Sequence, residues 1–523
     1  MNKSLILAGA LLAFAFAPTA FGADSSPFES QAVSVPPTKI DELVFARLDK
    51  LGIQPANPCS DAVFVRRAFL DVIGTQPTAT EARDFILDRN PAKRRLLIDR
   101  LLEREEFADY WAMKWSDLLR VKAEFPINLW PNAAQAYHRW IRTSIKENKP
   151  YDQFVRELLG ASGSNFRVGA VNFYRAMQNK TPQGIAQSAA LTFMGVRADK
   201  WPTNQLAGLA AFFSQVGYKE TSEWKEEIVF FNAGLITNGL ASAAALPDGT
   251  RPKLTGDRDP REVFAEWLVT PKNPWFTRNI ANRVWSWLLG RGIIQEPDDI
   301  RPDNPPSNPE LLALLEKELI ASKYDLKQLF RLILNSKTYQ LASIPKAKSP
   351  EAEANFAAYP LRRVDAEVLI DALNQITGTT EKYSSPIPEP FTFIPEDQRS
   401  IALPDGSITS SFLEMFGRPP RDTGMESERN NRPTAAQRLH LLNSSHILKK
   451  IEQSRMIQYQ LQGNKTPREI TTGIYLGILS RFPSDEELRA LAAHTQSGAA
   501  RGREAVVDLA WALINSAEFL YRH

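Results

Sequence analysis

The stretch from Phe276 to Ile294, reading FTRNIANRVWSWLLGRGII, places the strongest constraint on how this chain can fold. On a helix, Ile280, Ala281, Val284, Trp285, Trp287, Leu288 and Leu289 cover most of the circumference. Asn279, Asn282, Arg283 and Ser286 recur at i, i+3, i+4 and i+7 and draw one narrow polar stripe. A helix this apolar has to be buried on most sides, and Gly290 and Gly292 offer it a place to end. If the stripe faces water, it is the solvated edge of a core helix. If it faces protein, two amides and a guanidinium need partners, because an unpaired buried polar group costs roughly 1–3 kcal/mol. Asn279, Asn282 and Arg283 are then either binding residues or members of a structural network.

A chain of 523 residues can bury a large core and divide into two or more domains. Its 63 Lys+Arg and 60 Asp+Glu alternate rather than form blocks, which leaves no nucleic-acid footprint. At the start, Lys3 precedes an uncharged apolar run from Leu5 to Phe16, which Pro18 breaks. Ala20-Phe21-Gly22 then has the small-x-small form of a cleavage site. Residues 1–22 therefore read as a signal peptide, and the expectation is export to the periplasm or beyond the cell. No later stretch approaches the ~18 uncharged apolar residues of a membrane span. With Cys59 as the only cysteine, no intramolecular disulfide can form, and its setting just before a helix reads as a buried thiol.

Residues 23–37 read as a flexible leader and residues 38–217 as a dense series of helices. Ser60 caps one, and Asn90-Pro91 reads as the start of a helix over 92–103. The texture changes over 218–256, where Glu227–Phe231 (EIVFF) is a strand candidate and Pro247-Asp248-Gly249 is turn chemistry. Residues 257–523 form a second helical half, with Asp259-Pro260 and Asn308-Pro309 as cap-then-proline starts. Arg362–Ile376 and Ser445–Gln460 are predicted helices within it. The fold class this predicts is mainly α: two associated multi-helical domains with a small β-containing insert between them.

Familiar catalytic spacings are missing. None of the five histidines lies in an HExxH or HxH arrangement, and His440 and His446, six apart, fall on different faces of a helix. No GxSxG elbow, P-loop or helix-opening GxGxxG is present. The sequence therefore predicts neither a metal site nor a cofactor. Two polar constellations remain. In RRVDAE, Arg362, Arg363, Asp365 and Glu367 open a predicted helix. Arginines at that end of a macrodipole need partners, either internal carboxylates or a bound carboxylate or sulfate group. In RPPRDTGMESERNNRPT, Arg418, Arg421, Asp422, Glu426, Glu428, Arg429 and Arg432 crowd one loop. Glu426, Glu428 and Asp365 are candidate catalytic carboxylates, provided a pair lies about 5–9.5 Å apart. Arg418, Arg421 and Arg429 are candidate binding residues. Trp130, in the loop KAEFPINLWPN, is either part of a recognition edge or packed on a neighbouring helix.

Blocks along nearly the whole chain carry a resemblance. DELVFARLDKLGI, SDAVFVRRAFLDVIGTQPTATEARDFI and YDQFVRELL resemble the planctomycete cytochrome-c-associated domain of unknown function. DPREVFAEWLVTPKNPWFTRNIANRVWSWLLGRGIIQEPDDI, RRVDAEVLIDAL, FGRPPR and ESERNNRPTAAQRLHLLNS resemble the planctomycete secreted domain of unknown function. The resemblance implies an exported, mostly helical protein without a settled activity. It also implies a link to polysaccharide handling and an envelope partner of the sulfatase/phosphatase-like superfold. Two departures stand out. Many members carry CxxCH after a phrase like FLGV, where this chain runs from Val196-Arg197 into Ala198-Asp199-Lys200-Trp201. Members also show CxCER where this chain has Met425-Glu426-Ser427-Glu428-Arg429. If both cysteine clusters formed one redox or metal module lost as a unit, the two stretches must meet in the fold. The leading expectation is a non-haem binding or scaffold component contacting a protein or glycan. The alternative is a carbohydrate-active enzyme using acidic residues of the 418–432 loop.

Overall fold

In the computed structural model, Phe276–Leu289 is a helix whose polar stripe faces protein. Asn279, Asn282 and Arg283 are fully buried, and only Ser286 is partly exposed. The structure describes residues 26–30, 35–235, 243–255, 258–497 and 500–523; the expected signal peptide over 1–22 lies outside them, as does part of the expected leader over 23–37. Gly290, at φ 70°, ends the helix in the left-handed region. The Arg362 guanidinium then donates to the carbonyls of Trp287 and Leu288, both at 2.6 Å, where a helix favours a cation. The Asn282 amide clamps Ile294 by both its N–H and its carbonyl, at 2.9 Å each, and folds the following loop back.

This helix joins the two halves of the chain. It packs on Pro309–Ala321 and Leu326–Leu334 of its own half and on the turn Ala190–Met194 of the other. Phe276 stacks on Tyr151 with ring centres 4.9 Å apart, and Trp287 lies 5.2 Å from Trp111. Each large apolar side chain so buried contributes roughly 1.5–3 kcal/mol. Buried residues from Ile40 to Phe519 accordingly form one continuous core.

The fold is mainly α with small β elements. Capping chemistry sets several boundaries. Ser60 accepts from the Val63 N–H, Asp259 from Arg261 and Asn308 from Leu311. Three short strands, β1 (Gly163–Ser164), β2 (Val216–Glu220) and β3 (Glu227–Phe231), pair antiparallel in the order β1-β3-β2. This sheet reaches outside the 218–256 segment, because β1 comes from the end of the Tyr151–Gly160 helix region. Among the described residues, no helix is long and apolar enough to cross a membrane.

Three expectations change. Asn90 accepts from Ala92, but the helix runs Lys93–Leu102, one position shorter at each end than the expected 92–103, and Ala92 rather than Asn90 is its cap residue. The 445–460 stretch is two helices, Ser445–Glu452 and Arg455–Leu461, split at Ser454, which caps the second. Arg362–Arg363 opens no helix. It is strand β4, paired antiparallel with β5 (Tyr521–Arg522), and the helix that follows is Ala366–Thr377. Asp365 occupies the cap position of that helix, but its carboxylate is turned to other partners.

Candidate functional site

Strand β4 and the loop after Gly417 bring both polar constellations into one buried ion network. Asp365 Oδ2 accepts from Lys114 and Arg522, each at 3.0 Å, and from Tyr110 at 3.2 Å. Its Oδ1 accepts from the Asn431 amide at 2.7 Å. Burial alone would raise this carboxyl, but Lys114, Arg522 and Arg429 outweigh burial and hold it well below the usual carboxylate range. Arg429 forks onto Glu367 at 2.7 and 3.0 Å and reaches Asp117 at 2.6 Å. Arg421 meets the same Asp117 at 2.9 Å, and Arg418 lies 3.6 Å from Glu367. Burial lowers the Arg418 pKa to about 10. Arg362 and Arg522 converge on Asp71, at 3.0 and 3.3 Å, and Arg363 donates to the carbonyls of Phe416, Asn430 and Asn431. Arg362, Arg363, Arg418, Arg421 and Arg429 therefore meet internal acceptors, whereas Arg432 is exposed.

Glu426 and Glu428 are also engaged, with separate partners. Glu426 accepts from the Trp287 indole at 2.9 Å and lies 3.4 Å from Arg283, which bonds Asp298 at 2.5 Å and the Leu191 carbonyl at 3.3 Å. Glu428 accepts from the backbone N–H groups of Asp422 and Thr423 at 3.2 and 2.8 Å. Burial raises both carboxyls. The stripe residue Asn279 donates to the Thr192 carbonyl at 3.0 Å. Asn279 and Arg283 thus tie the seam helix to the first half, while Asn282 secures its own loop.

Two features face outward. One is a ring cluster. Trp130 meets Trp224 at 4.7 Å and Phe391 at 5.2 Å between centroids, and Lys225 lies over both tryptophans at 5.8 and 5.7 Å. Trp224 is 63% and Phe391 43% exposed. The other is a pocket of about 270 Å³ between the halves, lined by residues of the 120–199 region and by Asp422, Thr423 and Met425. Neither Glu426 nor Glu428 lines it. His440 and His446 occupy two helices broken at Ser444, which brings their ring nitrogens to 3.3 Å rather than setting them on separate faces. Among the described residues, no group of three or more His, Cys, Asp or Glu side chains is placed to hold a metal.

Residues 39–217 match the family model described as PSCyt2: Protein of unknown function (DUF1549), and residues 260–495 match PSD1: Protein of unknown function (DUF1553). The chain thus joins one part that matches each of these two families of unknown function. No curated protein and no solved structure gives a match. The departures from the cysteine motifs now have a common address, since Ala198 of the PSCyt2 part and Met425 of the PSD1 part line the same pocket. Gly195, just before them, fixes how closely the parts approach. At φ 65°, a Cβ there would lie 2.6 Å from Asn279 Oδ1 and 2.8 Å from the Pro297 carbonyl. Gly195→Ala is expected to cost about 1–3 kcal/mol through overpacking and strain, read as a lower urea midpoint. An unchanged midpoint would mean that the seam yields freely.

Sequence reasoning missed Asp71, Lys114 and Asp117 in the network, Trp224 and Phe391 at the ring cluster, and Arg120 and Arg197 at the pocket. For the first group a signal exists: Lys114 sits between Trp111 and Trp115 on the apolar side of its helix. The others come from separate loops, with no shared spacing to read.

Proposed function

We propose that the protein is an exported, non-haem binding component of an extracytoplasmic assembly that holds polysaccharide on its Trp130 edge. The observation that carries this reading is the ring cluster in which exposed Trp224 and Phe391 flank a half-buried Trp130 that packs on the core. Aromatic faces left in water stack on the C–H faces of sugar rings, and the Trp130 and Trp224 indoles with Lys225 beside them supply polar groups for the hydroxyls. Backbone strain supports the reading. Asn128, Trp130 and Lys225 have φ of 64°, 71° and 65°, which costs of order 1–3 kcal/mol each for such residues and persists only where the surrounding packing fixes the backbone. A hydrolytic reading resting on Glu426, Glu428 and Asp365 gains nothing from the geometry, because each is committed to internal donors.

The test is affinity electrophoresis of the mature protein through gels containing a panel of neutral and acidic polysaccharides. Trp224→Ala is expected to weaken retention about five- to tenfold without lowering stability. Tyr459→Ala, at an exposed ring elsewhere, should change nothing. Equal retention of the Trp224 variant, or no retention of the parent on any polysaccharide, would overturn the reading. A tagged pull-down from the envelope fraction tests, in the same preparation, for a partner of the sulfatase/phosphatase-like superfold.

A further inference from the structure

We propose that the pocket between the two halves binds a small oxyanion-bearing ligand, with Arg120 and Arg197 as its cationic contacts. This inference does not rest on the ring cluster. Arg120 is 2% exposed, and its Nε is held by the Ala176 carbonyl at 2.6 Å. Its Nη1 comes only to 3.5 Å from the Thr423 carbonyl, and its Nη2 is buried without a partner. Among the described residues no carboxylate lies within ion-pair distance of Arg120, in contrast to Arg418, Arg421 and Arg429. Arg197 is tied to Glu296 at 3.0 Å through Nη2, while its Nε is likewise buried and unpartnered. Both arginines line the pocket.

A buried guanidinium stays charged, and a missing acceptor costs the desolvation of each orphaned N–H. Buried donors of this kind are ordinarily met by water or by a ligand acceptor. The loop is shaped to leave the guanidinium its place: at Gly424, φ 76°, a Cβ would lie 2.5 Å from Arg120 Nη1. Of the carboxylates that line the pocket, Asp422 is neutralised by Lys122 at 2.6 Å and Asp199 is exposed. The remaining polar lining is neutral, with amides from Gln178, Asn179 and Gln187 and a hydroxyl from Ser188. That combination fits one anionic group on a polar, uncharged body. At about 270 Å³, the pocket sits at the small end of ligand sites and has room for one sugar-acid ring or a free oxyanion with its waters.

The experiment is isothermal titration of the full mature protein with sodium sulfate, with glucuronate and with glucose, at ionic strength matched by sodium chloride. Saturable one-to-one binding of sulfate or glucuronate, and none of glucose, is the expected result. Tighter binding of glucuronate than of sulfate identifies a sugar acid, and the reverse a free oxyanion. Arg120 helps to hold the loop, so the variants are Arg197→Met, which should weaken the anion at least tenfold, and Ser188→Trp, which fills the pocket and should abolish binding. Thermal unfolding of both variants should match the parent. No saturable binding of either anion, equal binding of glucose, or anion binding unchanged in both variants would overturn the proposal.

Discussion

Replacing Arg429 by methionine is expected to destabilise the protein by about 3–5 kcal/mol, the cost of leaving buried charge uncompensated. Arg429 is the only cation within ion-pair distance of three carboxylates, those of Glu367, Asp117 and Asp365, among the described residues. Burial would lower its pKa, yet those carboxylates raise it well above the ordinary arginine value. Removing it leaves Glu367, fully buried, with the 3.6 Å contact to Arg418 as its one remaining ion pair among the described residues. The loss is measured by urea unfolding, as a fall in midpoint at constant slope. Arg432→Ala, at an exposed position of the same loop, should stay within about 0.5 kcal/mol. The double variant Arg429→Met/Glu367→Leu should recover part of the loss, because replacing both partners removes the orphaned charge. A single-variant loss below about 1 kcal/mol would show that the network is not holding the halves together.

The second large effect is on acid stability. His138, in the helix Pro131–Lys146, is buried, and its Nε2 has no partner among the described residues. Burial first, then the nearby Arg421 and Arg142, pushes its pKa down to about 3. The unfolded chain takes up this proton near pH ~6.5, so between that pH and about 3 it binds more protons than the native state. The contribution of neutral His138 is thus complete above pH ~6.5 and is lost as pH falls towards the native value. By pH 4 the loss amounts to about 3 kcal/mol, at ~1.4 kcal/mol per pH unit. His523, lowered to about 4, acts in the same direction, whereas Asp371, raised by burial to about 6, acts in the opposite one. The unfolding free energy of the parent minus that of His138→Gln isolates the histidine. That difference should shrink by about 3 kcal/mol between pH 7 and pH 4, and a constant difference would exclude the effect.

What the sequence revealed was what local chemistry controls. The caps at Ser60, Asp259 and Asn308 and the strand Glu227–Phe231 lie where their residue types place them. The burial of the seam helix follows from its apolar circumference. Its polar stripe was visible, but not which way it faced, because the partners Thr192 and Leu191 come from the other half. Arg362–Arg363 reads as a helix start only while Tyr521–Arg522 is out of view, since a strand of two residues has no periodicity of its own. The same holds for the ring cluster: Trp130 alone is ambiguous, and Trp224 and Phe391 arrive from a hairpin and a loop far along the chain. For the histidine pair, counting His440 and His446 along one helix set them on different faces, although the helix start expected at Ser445 already separates them, as the break at Ser444 does.

Arg66 donates to the Phe519 carbonyl, 453 positions away, and Arg67 to the His523 carbonyl, 456 positions away. The first helices therefore acquire the acceptors for their innermost charges only after nearly the whole chain has come together. Closing so long a loop costs conformational entropy before any contact rewards it, and folds dominated by such contacts form slowly. The half that contains Arg66, Arg67 and Asp71 has no complete interior of its own to settle into first. A cut between the two parts would therefore leave the Arg66 and Arg67 guanidinium groups without these carbonyl acceptors.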